Sequence, residues 1–338
     1  MRKALGLLAL AALAACSVGR RATDPEATLP AIAPLPEITA AEPLPEEPAV
    51  AVASTATAAA TTTTNGRTKT TAGGTAPTTS ASRKSWGLVT ITTAIVSPSQ
   101  LMGRELPYDP SYKKLPVFPE KITLQVSWGL LDVGEATLSV KRIVSFNGRP
   151  AYHLVSEARS NAFCDTFYRV RDLNESWLDA RTLTSLGYSK KLREGGFFRD
   201  EWVLYDRDAN TFVARRTNKD GTFAVRAGTI PASVQDILSS IYFVRAQELK
   251  VGGEVVVDVN TPDNWPLSVK VKERESVKTH LGKRPAVLVE PEMRREGLFV
   301  QKGKRLRLWL SDDAEKRPLL MKVEVFFGHV TASLREML

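Results

Sequence analysis

Apolar and polar residues alternate along most of the second two-thirds of the chain. Every second residue from Ile122 to Trp128 is apolar, and Thr, Gln and Ser separate these positions. A period of two is typical of a strand with one buried and one exposed face. PLSVKVK repeats the pattern, with Leu267, Val269 and Val271 on the predicted inner face. One dry face and one wet face together favour an antiparallel sheet.

Turn sequences divide these patterns into hairpins. Leu131–Gly134 is predicted as the turn of the first hairpin, and Asp206–Asn210 as the turn of a later one. One segment has helical spacing instead, with apolar residues on one face between Val234 and Tyr242. Pro231 suits its first turn. The pattern therefore predicts one helix at about 231–249, covering an open end or edge of the sheet.

Composition separates a tether from a folded domain. Residues 16–115 are rich in Pro, Ala and Thr, so they bury too little apolar surface to offset the entropy of ordering. We expect a long disordered tether there and a β-rich domain at 116–338. Its two sheet halves, 116–228 and 254–338, are linked by the helix. The apolar patch Trp86–Val96 is expected to add an edge strand, or to act as a docking segment.

The first fifteen residues are predicted to be a signal peptide. Arg2 and Lys3 precede the apolar run Ala4–Ala15, which is too short to span a membrane but typical of a secretory signal. Leu13–Cys16 resembles the bacterial lipoprotein signal, in which the Cys thiol carries a diacylglycerol and the new amine takes another acyl chain, such as palmitate. Two or more chains anchor stably. We expect lipidation at Cys16; the alternative is a plain secretion signal.

The residue after the lipidated cysteine bears on location. Ser17, rather than Asp, follows Cys16. In lipoproteins of double-membraned bacteria this resemblance implies sorting to the outer membrane. We expect the domain to face the periplasm, with the cell surface as the alternative.

Charge and cysteine content narrow the partners. The formal net charge is +9, but acidic residues are interleaved with the basic ones. Nucleic-acid binding needs a basic stripe on one face, so nucleic acid is not an expected partner. The excess would suit anionic lipid headgroups or polyanionic glycans; the plainer interpretation is a modestly basic soluble domain. With Cys16 acylated, Cys164 stands alone, and we expect it to be buried as a small apolar residue.

Five segments of the folded part form a recognisable series. They are LQVSWGLLDVGEATLSV (124–140), DTFYRVRDLNESWLDARTL (165–183), DILSSIYFVR (236–245), LKVGGEVVVDV (249–259) and the C-terminal stretch 305–334. In this order they resemble a bacterial family known only as domain of unknown function 3108. The resemblance implies a mainly β fold: an exported, curved antiparallel sheet that closes toward a barrel, with one packed helix. It implies no established activity and no catalytic residues.

Candidate chemistry is sparse. His153, His280 and His329 lack neighbours at zinc-ligand spacing, so we expect surface histidines, no metal site and no cofactor. The sequence contains neither a G-x-S-x-G nor an H-E-x-x-H motif.

The segment FYRVRDLNESWLD has the densest mixture of aromatic and charged residues. Tyr168, Asp172 and Trp177 within it are candidates for the mouth of an apolar pocket. The plainer alternative is a set of cross-strand ion pairs on a wet face.

Three functions remain open. The first is a non-catalytic envelope lipoprotein that holds an apolar or amphipathic ligand, or a protein partner, in a concave sheet. The second is an enzyme that modifies envelope glycan or lipid, and the third is a structural component of an envelope complex. An apolar cavity of several hundred Å³, roughly the size of a ligand pocket, would favour ligand binding. A filled interior would favour a scaffold or assembly role.

Overall fold

The structure is a computed structural model that describes residues 96–261, 263–293, 305–324 and 328–338. The predicted signal peptide, Cys16, most of the predicted tether and all of Trp86–Val96 except Val96 lie outside the described residues. Their predictions therefore stay predictions.

The described residues form fifteen strands and three helices. The strands are β1 (Met102–Leu106), β2 (Glu120–Trp128), β3 (Leu131–Phe146), β4 (Arg149–Ser160), β5 (Arg171–Asp179), β6 (Ser185–Glu194), β7 (Phe197–Asp206), β8 (Thr211–Thr217), β9 (Phe223–Thr229), β10 (Glu254–Asn260), β11 (Asn264–Thr279), β12 (Gly282–Met293), β13 (Leu306–Ser311), β14 (Pro318–Glu324) and β15 (His329–Met337). The helices are α1 (Pro98–Leu101), α2 (Ala162–Asp165) and α3 (Ile237–Arg245).

The strands form one antiparallel sheet, which confirms the predicted fold class. Its order is β10-β11-β12-β13-β14-β15-β2-β3-β4-β5-β6-β7-β8-β9, and β1 pairs with β3 outside this path. The pairing of β15 with β2 joins the two runs of strands, β2–β9 and β10–β15. The sheet has two ends rather than a closed ring. It nevertheless approaches closure, because the Asn264 side chain donates a 2.7 Å hydrogen bond to the carbonyl of Thr229 at the end of β9.

The ordered body begins earlier in the chain than the predicted boundary at residue 116. Both α1 and β1 lie within the segment assigned to the tether, and β1 pairs with the far end of β3. Leu101 and Met102 pack against a buried cluster on this face of the sheet. The segment is short, and the Pro, Ala and Thr content averaged over the tether conceals it.

The first hairpin turns earlier than predicted. β2 ends at Trp128 and β3 begins at Leu131, so the turn is the pair Gly129 and Leu130 rather than Leu131–Gly134. Gly129 has a φ of +59°, a conformation that glycine adopts without strain and that two-residue turns require. The residues from Leu131 onward can therefore continue as strand.

The later turn is confirmed, and so is the buried face of β11, although Ser268 on its predicted outer face is also buried. Asp206–Asn210 joins β7 to β8, and the Asp206 carboxylate accepts hydrogen bonds from the backbone of residues 208 and 209. Leu267, Val269 and Val271 are buried, whereas Lys272 is exposed.

The predicted helix is shorter than 231–249 and more central than an edge cover. α3 begins after Asp236, because Ala232 and Ser233 form a separate turn and Gln235 then forms a parallel bridge with Val259 of β10. Leu238 and Tyr242 belong to the largest apolar cluster, together with residues of β2–β6 and β12–β15. Val244 belongs to a second cluster with residues of β10–β13. The helix therefore packs against the inner faces of both runs of strands.

Candidate functional site

Two of the predicted pocket-mouth residues, Tyr168 and Asp172, lie where the connection from β4 enters β5. The Tyr168 ring packs on Gly195, where an added Cβ atom would lie 2.6 Å from the ring. Gly195 also has a φ of +57°, so the turn after β6 needs glycine for its backbone and for this ring. Asp172 is buried, and its Oδ1 accepts a 2.7 Å hydrogen bond from the Arg193 backbone N–H.

Trp177 does not lie with them. It is fully buried, and because it is five residues beyond Asp172 on the same strand, its side chain is on the opposite face of the sheet. Its ring stacks on Phe146 and His153, with centroid distances of 5.2 and 5.5 Å. Trp177 therefore belongs to the core cluster beneath α1 and β1.

Asp172 is instead paired with a carboxyl group that sequence reasoning missed. Glu194, at the end of β6, is also buried. Burial first, and repulsion from Asp172 second, raise the pKa of Glu194 to about 8. Burial also raises the pKa of Asp172, partly offset by its hydrogen bonds with Arg193 and Glu194. The pair therefore holds a proton near neutral pH.

The sequence did contain a signal for Glu194. Leu192 and Glu194 are on the same face of β6, because they are two residues apart, and Leu192 is fully buried. A glutamate at the next inward position is an unusual place for a charge.

Carboxyl pairs with separated or raised pKa values serve as acids and bases in several enzymes. Here both side chains are buried, and neither of the two pockets described below is lined by Asp172 or Glu194. The pair can hold and release a proton as pH changes, but these pockets do not bring a substrate to it.

Cys164 is buried and unpaired, as predicted. Burial raises the pKa of its thiol, and the neighbouring Asp165 raises it further. The thiolate is therefore disfavoured, and Cys164 behaves as a small apolar residue.

The prediction of a surface position is wrong for His153. This side chain is buried beneath α1 and β1. Its Nε2 lies 3.0 Å from Glu175 Oε1, and its Nδ1 lies 3.4 Å from Arg142 Nε. It also stacks on Trp177. Sequence alternation alone could not show that β1 covers this face.

A buried ion pair fixes α3 to the sheet. The Arg245 guanidinium donates hydrogen bonds of 2.8 and 2.7 Å to the two carboxylate oxygens of Glu120, the first residue of β2. The side chains are 1% and 0% exposed. Arg317 adds a second cation 3.5 Å from Glu120. Two-point hydrogen bonding of this kind fixes orientation as well as distance.

The other end of α3 is fixed by the buried Asp236 carboxylate. Its Oδ1 accepts from the backbone N–H groups of Leu238 and Ser239, which caps the helix. Its Oδ2 accepts 2.6 Å hydrogen bonds from the hydroxyls of Ser176 on β5 and Ser185 on β6. One carboxylate thereby joins the helix to two strands.

Two pockets stand out in the described part of the chain, and neither is a large apolar cavity. The first lies beside the start of α3 and has a volume of about 20 Å³, room for roughly one water molecule. Its lining includes the fully buried Ser156, whose hydroxyl has no hydrogen-bond partner among the described residues. The second is an open cleft of about 330 Å³ beside the turn that follows α3, with Lys250, Arg274 and Asp312 in its lining.

The described residues offer neither a cluster of metal ligands nor a membrane-spanning helix. Within the described ranges, no group of three or more His, Cys, Asp or Glu side chains is arranged to hold a metal ion. None of the helices in these ranges has the length and apolar character needed to cross a membrane.

Comparison with known proteins places the chain beside uncharacterised relatives. The family model described as "Protein of unknown function (DUF3108)" matches residues 123–335. No functionally curated protein matches the chain. A solved structure similar to it is that of a beta-barrel-like protein of domain of unknown function DUF1849 from Brucella abortus, with 9% identity, a TM-score of 0.44, and coverage of 66% of this chain and 98% of that one.

Proposed function

The chain belongs to the DUF3108 family of proteins of unknown function, and we propose that it is a non-catalytic cell-envelope lipoprotein that holds an envelope component on the outside of its sheet. The observation that carries the proposal is the filled interior. α3 contributes to two apolar clusters inside the sheet and is fixed there by Glu120 and Asp236. The space in which a concave sheet would hold a ligand is thus occupied by the chain itself.

The sizes of the pockets also favour binding on the outside of the sheet. A small ligand needs a largely apolar cavity of roughly 300–1,000 Å³. The pocket beside the start of α3, at about 20 Å³, is far below this size. The cleft of about 330 Å³ is open and lined by charged side chains. Binding at an outer surface therefore fits the molecule better than binding in its interior.

Lipidation at Cys16 is tested by metabolic labelling with a palmitate analogue. The Cys16→Ser variant is expected to lose the label, because its hydroxyl cannot form the thioether to diacylglycerol. Cys164→Ser is the matched control, since Cys164 is the other cysteine and is buried. It should keep the label. Labelling that survives Cys16→Ser would overturn the lipoprotein part of the proposal.

A second candidate function, an enzyme that modifies envelope glycan or lipid, is favoured by the Asp172–Glu194 pair, since a protonated buried carboxyl could act as an acid. Incubation of the purified full chain with peptidoglycan and with phospholipid tests it. The non-catalytic proposal predicts no product. Turnover that is lost in Glu194→Gln but kept in Glu157→Gln, an exposed glutamate on β4, would establish the enzyme instead.

A further inference from the structure

The connections between neighbouring strands lie at the two ends of the strands. We call each line of strand ends an edge of the sheet, and one of these edges carries a row of such connections. β2 to β9 are consecutive neighbours in an antiparallel sheet, so alternate connections return to the same edge. This edge holds the β2–β3, β4–β5, β6–β7 and β8–β9 connections. Neighbouring strands are about 4.8 Å apart, so successive connections lie roughly 10 Å apart along the edge.

These four connections expose large apolar side chains. Leu130, at the tip of the first hairpin, is fully exposed, and Phe163 and Phe167 are 61% and 51% exposed. All four exposed Phe side chains of the described residues are on this edge. We call the set the hydrophobic rim, and its members are Leu130, Leu131, Phe163, Phe167, Phe197 and Phe223.

The opposite edge of the same strands differs. Its connections are 147–148, 180–184 and 207–210, all within the described residues. None of them has an exposed large apolar side chain. Among the connections of β2–β9, exposed large apolar side chains are therefore confined to one edge. Contiguous exposed apolar surface marks interaction sites, and Phe163 and Phe167, whose ring centres are 5.3 Å apart, form such a patch on this edge.

Basic side chains accompany the rim. The segments 128–132, 159–171, 191–200 and 215–223 contain nine Lys and Arg residues against five Asp and Glu. Two guanidinium groups lie on rim aromatics, Arg215 4.0 Å from the centre of the Phe223 ring and Arg199 5.5 Å from that of Phe197. Five of these cations form ion pairs with acidic residues, so the excess of positive charge is smaller than the count alone suggests; they are Arg159, Arg171, Arg193, Arg199 and Arg216. The remaining excess lies on the same edge as the exposed aromatic rings.

We propose that the hydrophobic rim inserts into the interfacial region of an anionic lipid bilayer. This inference rests on the proposed function, and it identifies the envelope component that the protein holds as a lipid surface. Aromatic and leucine side chains enter the headgroup region, while nearby Lys and Arg are attracted to anionic lipid. Because the rim side chains stand on separate tips, a fluid interface accommodates them without the matching pockets that a protein partner would need.

Vesicle flotation of the full chain tests the proposal. Cys16→Ser with Leu8→Glu and Leu10→Glu removes the predicted anchor and the apolar leader as causes of binding. In this background the protein is mixed with vesicles of phosphatidylcholine that contain about one-third phosphatidylglycerol. The rim variant is Phe163→Ser/Phe167→Ser. The matched control is Val251→Ser/Leu281→Ser, which removes two exposed apolar residues from other turns.

The rim variant should bind these vesicles at least about tenfold more weakly, while the control changes less than about twofold. Vesicles of phosphatidylcholine alone, or high salt, should also weaken binding, because the Lys and Arg attraction is electrostatic. A second rim variant, Leu130→Ser/Phe223→Ser, repeats the test should Phe163→Ser/Phe167→Ser fail to fold.

Equal vesicle binding by the control and a folded rim variant would overturn the proposal. So would loss of a dimer in the rim variant, seen by analytical ultracentrifugation, without loss of vesicle binding, since the rim would then be a protein interface. Neither result affects the Cys16 labelling experiment. Failure of the lipid-surface proposal is therefore distinguishable from failure of the lipoprotein proposal.

Discussion

At the scale of single residues, charged groups in the interior depend on their partners. Glu120 is fully buried and held by Arg245 in two hydrogen bonds, with Arg317 nearby. The attraction within a buried pair is largely offset by the cost of removing both charges from water. Removing one partner, however, leaves the other charge buried without compensation.

We expect Arg245→Met to lower the free energy of unfolding by about 3–5 kcal/mol, because it leaves the buried Glu120 carboxylate without its main cation. Chemical denaturation at neutral pH measures this loss. Lys270→Met, which breaks the half-exposed Lys270–Glu292 pair, should have a much smaller effect, because surface ion pairs contribute little. The double variant Glu120→Gln/Arg245→Met should recover part of the loss, and equal effects of Arg245→Met and Lys270→Met would contradict the argument.

The raised pKa of Glu194 predicts that the stability of the fold depends on pH. Its pKa is about 8 in the folded chain, against about 4.3 in an unfolded one. Between these values the folded state keeps a proton that the unfolded state has released, so the free energy of unfolding falls as pH rises. The slope approaches about 1.4 kcal/mol per pH unit for one proton.

Glu194→Gln should remove this contribution, since glutamine has no proton to lose. Denaturant titrations from pH 5 to 9 should give a flatter curve for this variant, and greater stability than the wild type above pH 8. Glu157→Gln, at an exposed position, should follow the wild-type curve. Parallel curves for Glu194→Gln and the wild type would show that the carboxyl pair does not hold the proton.

At the scale of elements, α3 is short and depends on its buried cap. Nine residues are too few for a helix to be stable by itself in water, so its position comes from packing and from its two ends. Asp236 satisfies two backbone N–H groups at the start of α3 and two serine hydroxyls on the sheet. The cap therefore links helix formation to sheet formation.

Asp236→Ala should lower the free energy of unfolding by at least about 2 kcal/mol. The helix loses its cap, and the buried hydroxyls of Ser176 and Ser185 lose their hydrogen-bond acceptor. Asp206→Ala is the matched control, since Asp206 also accepts two backbone hydrogen bonds but lies in an exposed turn. It should cost less than about 1 kcal/mol. Thermal and chemical unfolding measure both variants, and similar losses would refute a special role for Asp236.

Sequence periodicity predicted which helices and strands are present better than it predicted where each begins and ends. The alternation in β2 and β11 is a direct consequence of one buried face, so it identified strands. The start of α3 could not be placed, because Pro231 suits a first helical turn, whereas Gln235 pairs with Val259 of β10 before the helix begins. β1 was missed because its MGREL sequence is stabilised by pairing with β3, a contact more than thirty residues away in sequence.

At the scale of the whole molecule, the sequence predicted a mainly β antiparallel domain and the family, but not what fills it. Glu120 and Arg245 are separated by 125 residues, and no local pattern indicates that they meet. The candidate site shows the same limit. Tyr168 and Asp172 are close in sequence, whereas Glu194 joins Asp172 only through the pairing of β5 with β6.

We propose that this domain binds its partner on the outside of the sheet and not in its interior. Native mass spectrometry of the Cys16→Ser chain, purified from its own host, tests it most directly. We expect the mass of the chain alone, because α3 and its two apolar clusters fill the described interior. One lipid or other small molecule bound per chain, and retained in the Phe163→Ser/Phe167→Ser variant, would contradict it.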